Sequence, residues 1–237
     1  MKNERCSLLT EQTDELQRLA FSLNPLAFSR SPDLPSLILT MPLAPWRSPL
    51  ARALHRNRSL VYARYLQLAT VRADGRPANR TVVFRGFLDD SDQLKFVTDD
   101  RSEKAEQIAD HPWAEACWYF PKTREQFRLL GRLTLINADH PDPVLVQAQQ
   151  KQWQELSDAG RIQFAWSYPG KPRAADDPFD PPAPDPLNPL PNFSLLLLVA
   201  VQVDHLELRG EPQNRYRYQW NDQPESEPEW SVEAINP

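Results

Sequence analysis

The residues in this sequence best suited to chemistry are cations placed beside a helix start. Arg80 and Arg85 lie five positions apart in the run Arg80-Thr-Val-Val-Phe-Arg85, and Thr98 to Lys104 reads Thr-Asp-Asp-Arg-Ser-Glu-Lys. On a strand, that spacing directs the two arginines to opposite faces. The second stretch reads as a turn entering a helix, whose first N–H groups are free and carry partial positive charge. With Arg101, Ser102 and Lys104 alongside, a phosphate could be gripped there by charge-assisted hydrogen bonds. Asp99, Asp100 and Glu103 fit an equally simple alternative, an amphipathic helix with solvated charges. A second group, Trp118-Tyr-Phe-Pro-Lys-Thr-Arg-Glu-Gln126, sets aromatics beside a turn that carries an amide. It either borders a planar ligand, with Gln126 reading ring carbonyls and N–H groups, or forms the edge of an aromatic core. The run Asn214-Arg-Tyr-Arg-Tyr-Gln-Trp220 gives one basic face on a strand.

Side chains that would act as acid, base or nucleophile are not grouped. His55, His111, His140 and His205 are scattered, and no HExxH or other ligand spacing is present, so no metal site is expected. The two cysteines, Cys6 and Cys117, exclude a disulfide scaffold and a four-cysteine zinc site. With only 6 glycines the chain has no GxGxxG, no Walker loop and no GxSxG elbow. A cofactor that brings its own chemistry is then the better account of a ligand site.

The elements that position these groups make up one globular domain with terminal extras, or at most two small domains, in 237 residues of which 41 % are hydrophobic. The net charge is -5, yet Met41 to Arg80 holds eight arginines and a single acid, Asp74. A basic block in an acidic chain suggests a local anion site rather than a polyanion-coating surface, so nucleic acid is not expected as a partner. No run approaches the roughly 18 apolar residues of a membrane span, and no membrane association is expected. The longest apolar run, Phe193 to Val203, is broken by Ser194 and Gln202 and reads as a buried strand. The N-terminus shows no h-region, which makes a cytoplasmic protein the expectation.

Residues 1–40 read as a short polar helix, Thr10 to Ala20, followed by a Ser/Pro/Leu stretch. They are expected to be an N-terminal extension, either flexible or the product of an upstream start codon, with a docked N-terminal helix as the alternative, ahead of a folded unit over 41–237. In that unit the periodicity predicts a helix over Trp46 to Tyr62. A hairpin follows, with strands Tyr65 to Arg72 and Arg80 to Arg85 around Ala73-Asp-Gly-Arg76, then a strand from Leu94 to Thr98. A helix follows to about Ala109, with Asp100 and Glu103 at capping-box spacing. Further strands are expected at Ala114–Phe120, Gln126–Ile136 and Ser194–Leu208, with short elements at Tyr216–Trp220 and Trp230–Ile235. Pro141 to Leu156 reads as a helix that offers Val144, Ala148, Trp153 and Leu156 to the core. Of the 24 prolines many cluster within 169–191, which reads as an irregular insert. Six or so antiparallel strands with helices at the ends describe a small β-barrel or an α+β sandwich.

Taken in order, these motifs resemble the pyridoxamine 5′-phosphate oxidase family of FMN-binding split barrels, and within it a branch without an assigned substrate. The resemblance runs from about Trp46 to Pro237. It rests on Asp74-Gly-Arg-Pro before Arg80–Arg85, Phe96-Val-Thr-Asp, Ser102-Glu-Lys104, Tyr119-Phe-Pro, Arg124-Glu-Gln-Phe127, Gly131-Arg132 and the closing Trp230-Ser-Val-Glu-Ala-Ile-Asn-Pro. It implies a mainly β (α+β) fold, an antiparallel Greek-key split β-barrel with flanking helices, and FMN bound at the interface of a homodimer. By position it implies that Arg80 and Lys104 meet the phosphate, and that Thr81, Val82, Val83, Val97 and Thr98 border the flavin. Ser102 would sit in the phosphate turn, with Arg101 standing in for a family arginine replaced here by Glu103. Arg85 takes the place of a family lysine near the ring and is the candidate catalytic residue. Gln126 would arrive from the partner subunit, and Arg215 matches a late arginine also used for FMN.

The departures concern the substrate. Oxidases of this family carry Arg-Leu-His-Asp-Arg near the C-terminus, where this chain has Glu211-Pro-Gln-Asn-Arg215. A family tryptophan corresponds to Leu206, and the family's Tyr and Arg phosphate contacts fall near Trp153 and Ser157. The expectation is an FMN-dependent oxidoreductase that takes a hydride from a small-molecule electron donor and is not a genuine pyridoxamine phosphate oxidase. The alternatives are a non-catalytic flavin or pyridoxal phosphate carrier or sensor, and an interaction module that has kept the barrel alone.

Overall fold

The computed structural model describes residues 43–175, 179–222 and 227–237. The expected extension over 1–40, with its Thr10–Ala20 helix, lies outside the described residues. Among the described residues eight strands form, the six expected and two more where the short closing elements are expected: β1 (Tyr65–Val71), β2 (Pro77–Val83), β3 (Leu94–Asp99), β4 (Trp113–Phe120), β5 (Glu125–Ile136), β6 (Phe193–Glu207), β7 (Asn214–Asn221) and β8 (Glu229–Ile235). The helices are α1 (Arg47–Asn57), α2 (Glu103–Asp110), α3 (Pro143–Gln154) and the single turn α4 (Asp158–Arg161).

The spine of the fold is β6, which is 15 residues long. Its first half pairs with β3 and with the end of β5, and its second half pairs with β7 and with the start of β5. Every ladder is antiparallel, as the short connections require. Past β2 the chain leaves β1 and turns to β3. The Arg85 N–H donates to the Lys95 carbonyl at 2.9 Å, and the Lys95 N–H donates to the Gly86 carbonyl at 2.8 Å. That contact closes a six-stranded ring in the order 1-2-3-6-5-4, the Greek-key arrangement of a split β-barrel, and β7 and β8 extend the wall beyond β6. Along Pro77–Val83 the outer edge of β2 has no partner strand among the described residues.

Alternation fills the barrel. Leu66 and Leu68 of β1, Trp118 and Phe120 of β4, and Phe127 and Leu129 of β5 point inward with Phe84, Phe96, Leu196 and Leu198. The N-terminal half of β6 is apolar without alternation because both of its faces are covered. On the side away from the barrel, Leu195 and Leu197 pack with Ile136, Leu145 and Ala148. A third cluster joins Trp153, Leu156, Phe164 and Phe193. Val144, expected in the core, is 58 % exposed. Helix α3 starts at Pro143 under an Asp142 cap, and this phase turns Leu145, Ala148 and Trp153 inward instead.

Three of the boundaries that differ from those expected bear on the site. Helix α1 ends at Asn57, whose amide nitrogen donates to the Ala53 carbonyl and whose amide oxygen accepts from the Lys122 N–H at 2.9 Å, and a 3-10 turn (Val61–Arg64) follows. Strand β2 begins at Pro77 and stops at Val83, so Arg80 and Arg85 do not share a strand. The reason is the change of partner: Phe84 still donates to the Arg64 carbonyl, and Gly86, at φ +118, then turns the chain to β3. Helix α2 begins at Glu103 with Ser102 in the cap position, not with Asp100. The Asp100 N–H is already committed to the Asn192 carbonyl at 2.9 Å, and the Ser102 N–H closes a turn on Asp99.

Gly131 sits where the β5–β6 register shifts, and a Cβ there would lie 2.0 Å from the Val199 carbonyl oxygen. Because the obstacle is backbone, Gly131→Ala should cost about 3 kcal/mol of stability. Urea unfolding measures this, and an unchanged midpoint would show that the bulge tolerates a side chain.

Candidate functional site

Arg80 and Thr70 lie on the inward side of the β1–β2 hairpin, where α2 covers the end of the barrel. The Arg80 guanidinium donates to the Thr70 hydroxyl at 2.6 Å and to the Gln107 amide oxygen at 3.0 Å. Gln107 comes from the buried face of α2 and also accepts from Thr70 at 2.6 Å. Thr70 and Gln107 therefore aim Arg80, a pair the sequence signals only as polar residues at inward-facing positions. From the first turn of α2, Lys104 donates to the Thr98 hydroxyl and approaches the Ser102 hydroxyl at 3.5 Å. Neither Arg80 nor Lys104 forms an ion pair with a carboxylate among the described residues. No side chain caps α2, so its first N–H groups remain open to an external acceptor.

Two like charges so placed raise one another's cost. Burial, followed by the Arg80 charge, pulls Lys104 from the ordinary lysine value of 10.5 down to about 8, against Asp99 and Asp100. Burial also lowers Arg80, with Glu103 opposing and Arg72 adding to the effect. Asp100 is raised by burial, although the Ser194 hydroxyl and Lys104 act against the rise. An anion of two charges would relieve the pair.

The remaining expected residues divide into three groups. Thr81 and Val83 face outward on β2, while Val82 is a core residue whose backbone, in step with the Phe84–Arg64 pairing, serves the ladder to β1. Val97 packs against the Trp153 cluster, and Thr98 is buried beside it. Arg101 is not brought to the Arg80–Lys104 pair. Its guanidinium grips Asp99 at 2.6 Å and donates to the Phe164 and Trp166 carbonyls. Arg85 is half-buried, lowered by burial and then by the nearby Arg64 charge against Tyr65, and its buried Nε has no hydrogen-bond partner.

Gln126 belongs to a different surface. The register places Tyr119, Gln126, Leu206, Arg215 and Ile235 in one row across β4 to β8, on the face opposite Arg80. Alternation divides the aromatic stretch: Trp118 and Phe120 enter the core, while Tyr119 stands 46 % exposed beside Gln126. Arg215 pairs with the buried Asp204 through three hydrogen bonds, at 3.0, 3.1 and 2.8 Å, which raise its pKa. Arg217, next along the basic face, lies 3.9 Å from Glu233.

The positions that differ from the oxidases have structural duties. Trp153 is fully buried and donates to the Asp185 carbonyl at 2.9 Å, and Ser157 caps α4 by accepting from the Gly160 N–H. Glu211, Pro212 and Gln213 line an open cavity of about 500 Å³ with Arg124, Leu208 and Pro237. No ligand spacing was legible for His205, yet the fold brings it within 4.8 Å of Glu125 and Glu207. His205 stacks on Phe127 and shares a 2.9 Å hydrogen bond with Glu125, which accounts for the grouping without an ion.

Comparison with known proteins gives the class. Residues 43–137 match the family described as pyridoxamine 5′-phosphate oxidase, FMN-binding domain. A pyridoxine/pyridoxamine 5′-phosphate oxidase 2 of Arabidopsis thaliana is 38 % identical over 196 residues, which span 82 % of this chain and 98 % of that protein. A pyridoxamine 5′-phosphate oxidase-related, FMN binding protein of Nostoc punctiforme PCC 73102 is 66 % identical in the superposed structure, with a TM-score of 0.79 over 83 % of this chain and 100 % of that one. PhzG of Burkholderia lata 383, solved with tetrahydrophenazine-1-carboxylic acid, shares the fold at 19 % identity, with a TM-score of 0.66 over 83 % of this chain and 94 % of its own. This chain belongs to the pyridoxamine 5′-phosphate oxidase family of FMN-binding split barrels. FMN is the cofactor of that domain, and the residues here fit its tail: two unneutralised cations, two hydroxyls and an uncapped helix start.

Between about pH 8 and 10.5 the folded protein has released the Lys104 proton that the unfolded chain still binds. The contribution of this residue to stability therefore rises with pH across that window. Urea unfolding of ligand-free protein should show the wild type gaining on Lys104→Met from pH 7.5 to about pH 9.5. A pH-independent difference would mean that burial and the Arg80 charge do not hold the Lys104 pKa down.

Proposed function

We propose that this chain is an FMN-dependent oxidoreductase that works as a cytoplasmic homodimer on a small-molecule electron donor. The observation that carries the reading is that Arg80, held on Gln107 of α2, is close enough for its charge to act on Lys104 in the uncapped first turn of α2, with no ion pair to either among the described residues. Bound FMN supplies two-electron redox chemistry at its ring. The protein supplies grip and orientation: Arg80, Lys104, Ser102 and the first N–H groups of α2 hold the phosphate, and Thr98 orients the Lys104 ammonium. The free edge of β2 leaves backbone groups of Thr81 and Val83 available along one side of the ring.

The division of the site supports the dimer. Gln126 and Arg215 lie on the face opposite Arg80, and no hydrogen bond or ion pair among the described residues joins the two sets. A second copy would bring the Gln126 row to the first copy's phosphate site. Arg85, with an unpartnered buried Nε and Arg64 close by, offers positive charge to an anionic donor. The donor is not anchored as pyridoxamine phosphate is in the family's oxidases, because Trp153 and Ser157 are engaged in the core and in a helix cap.

A second reading, a carrier or sensor that holds the flavin without turnover, is favoured by one feature. Glu211 to Asn214 replaces the oxidases' Arg-Leu-His pattern.

The visible absorption spectrum of freshly purified protein tests the cofactor, with flavin bands at a ratio of roughly one FMN per chain as the expected result. Arg80→Ala should weaken FMN binding about 10- to 100-fold, the loss of a charge-assisted hydrogen bond to phosphate. Arg85→Ala should keep its colour and lose turnover. Folded, colourless protein that refuses added FMN would overturn the proposal, and yellow protein that no reduced nicotinamide or amine reduces would favour the carrier.

A further inference from the structure

The turn that leads into α2 is tied to chain far away in sequence. Arg101 donates to both Asp99 carboxylate oxygens and, through one guanidinium nitrogen, to the carbonyls of Phe164 at 3.1 Å and Trp166 at 3.2 Å. Asn192 donates to Asp99 at 2.8 Å and to the same Phe164 carbonyl at 3.0 Å, while its own carbonyl accepts from the Asp100 N–H. Tyr168 lies under the Arg101 guanidinium at 4.8 Å. Phe164–Tyr168 and Asn192 are the two ends of the proline-rich insert. Both ends are thus fastened to one turn, and that turn carries Thr98, Ser102 and Lys104.

We propose that Asp99, Arg101 and Asn192 form a clamp through which the proline-rich insert and the phosphate site stabilise one another, with Arg101 as a positioning residue. The proposal rests on the reading of the Arg80–Lys104 site as the FMN phosphate site. Arg101 is the hinge of the argument because its donors are divided between the two parties. The carboxylate of Asp99, held low by Arg101 and Asn192 against the burial that would raise it, belongs to the strand that ends in the turn. The two carbonyls belong to the insert. Closing the clamp fixes the backbone of residues 99–102, and with it the direction of the first N–H groups of α2 and of the Ser102 hydroxyl. A phosphate that needs those groups in place favours the closed clamp. By linkage, the closed clamp and the insert it holds favour the phosphate by the same factor. Arg101, expected to touch the phosphate itself, acts one step behind it.

Trypsin cleavage after Arg173, in the insert, reads the clamp without reference to turnover. With the full-length chain, loading FMN should slow this cut several-fold, as followed by mass spectrometry. Arg101→Ala should weaken FMN binding about tenfold in a flavin fluorescence titration, and saturating FMN should no longer protect the Arg173–Ala174 bond. Asn192→Ala gives the same reading, at smaller amplitude, should Arg101→Ala fail to fold. A residue that merely stabilised the fold would speed the cut equally with and without FMN. Yellow wild-type protein whose cleavage ignores FMN, or Arg101→Ala that binds FMN as tightly as the wild type, would overturn the clamp alone. Protein that takes up no FMN at all would overturn the cofactor reading and the clamp together, and its lack of colour identifies that case.

Discussion

The structure depends on the burial of two positive charges close together at the end of a barrel. Removing a cation from water is costly, and placing a second beside it adds to the cost. The fold meets that cost with neutral groups: Thr70 and Gln107 for Arg80, and Thr98 and Ser102 for Lys104. Hydroxyls and an amide orient the cations without cancelling them. A carboxylate in either place would have made a stronger structural contact and a poorer anion site. Two of the nearby acids are engaged elsewhere, Asp99 with Arg101 and Glu103 with Arg72 and Gln107, and Asp100 acts on Lys104 through its charge without an ion pair.

The barrel exists to hold this arrangement still. Its interior is a continuous packing of Trp118, Phe120, Phe127 and Phe84, whose rings meet edge to face or tilted at 4.9 to 5.9 Å. β1 and β2, which present Thr70 and Arg80, are braced from below by that packing and from above by α2. The long strand β6 binds the two halves of the wall. Its second half carries the Asp204 that pairs with Arg215, and its first half holds β3, which ends at Thr98 and the turn.

Much of this was legible in the sequence because the signals are local. Period-two alternation in β1, β4 and β5 and the Asp74-Gly-Arg-Pro turn place the strands, and Ser102-Glu-Lys104 places the helix beside them. What the sequence hid is set by contacts between distant residues. The start of α2 moves from Asp100 to Glu103 because Asn192 claims a backbone N–H. Arg85 leaves the strand of Arg80 because its backbone finds Lys95 rather than β1. Arg101 reads as a phosphate ligand by spacing, yet two carbonyls more than sixty positions away hold it. His205 and Glu125 meet through strand register, which no short motif encodes.

The unpaired edge of β2 carries a further consequence. A bare row of backbone donors and acceptors invites another extended chain to add itself, and proteins ordinarily blunt such rows. Here Pro77, which has no N–H, protects one end of the row and the turn at Gly86 the other, and the middle stays open. The backbone groups that suit a flat aromatic ligand are the same ones through which two copies could adhere. Were a ligand to sit on that edge, as proposed, its occupancy would serve solubility as well as chemistry by covering the row.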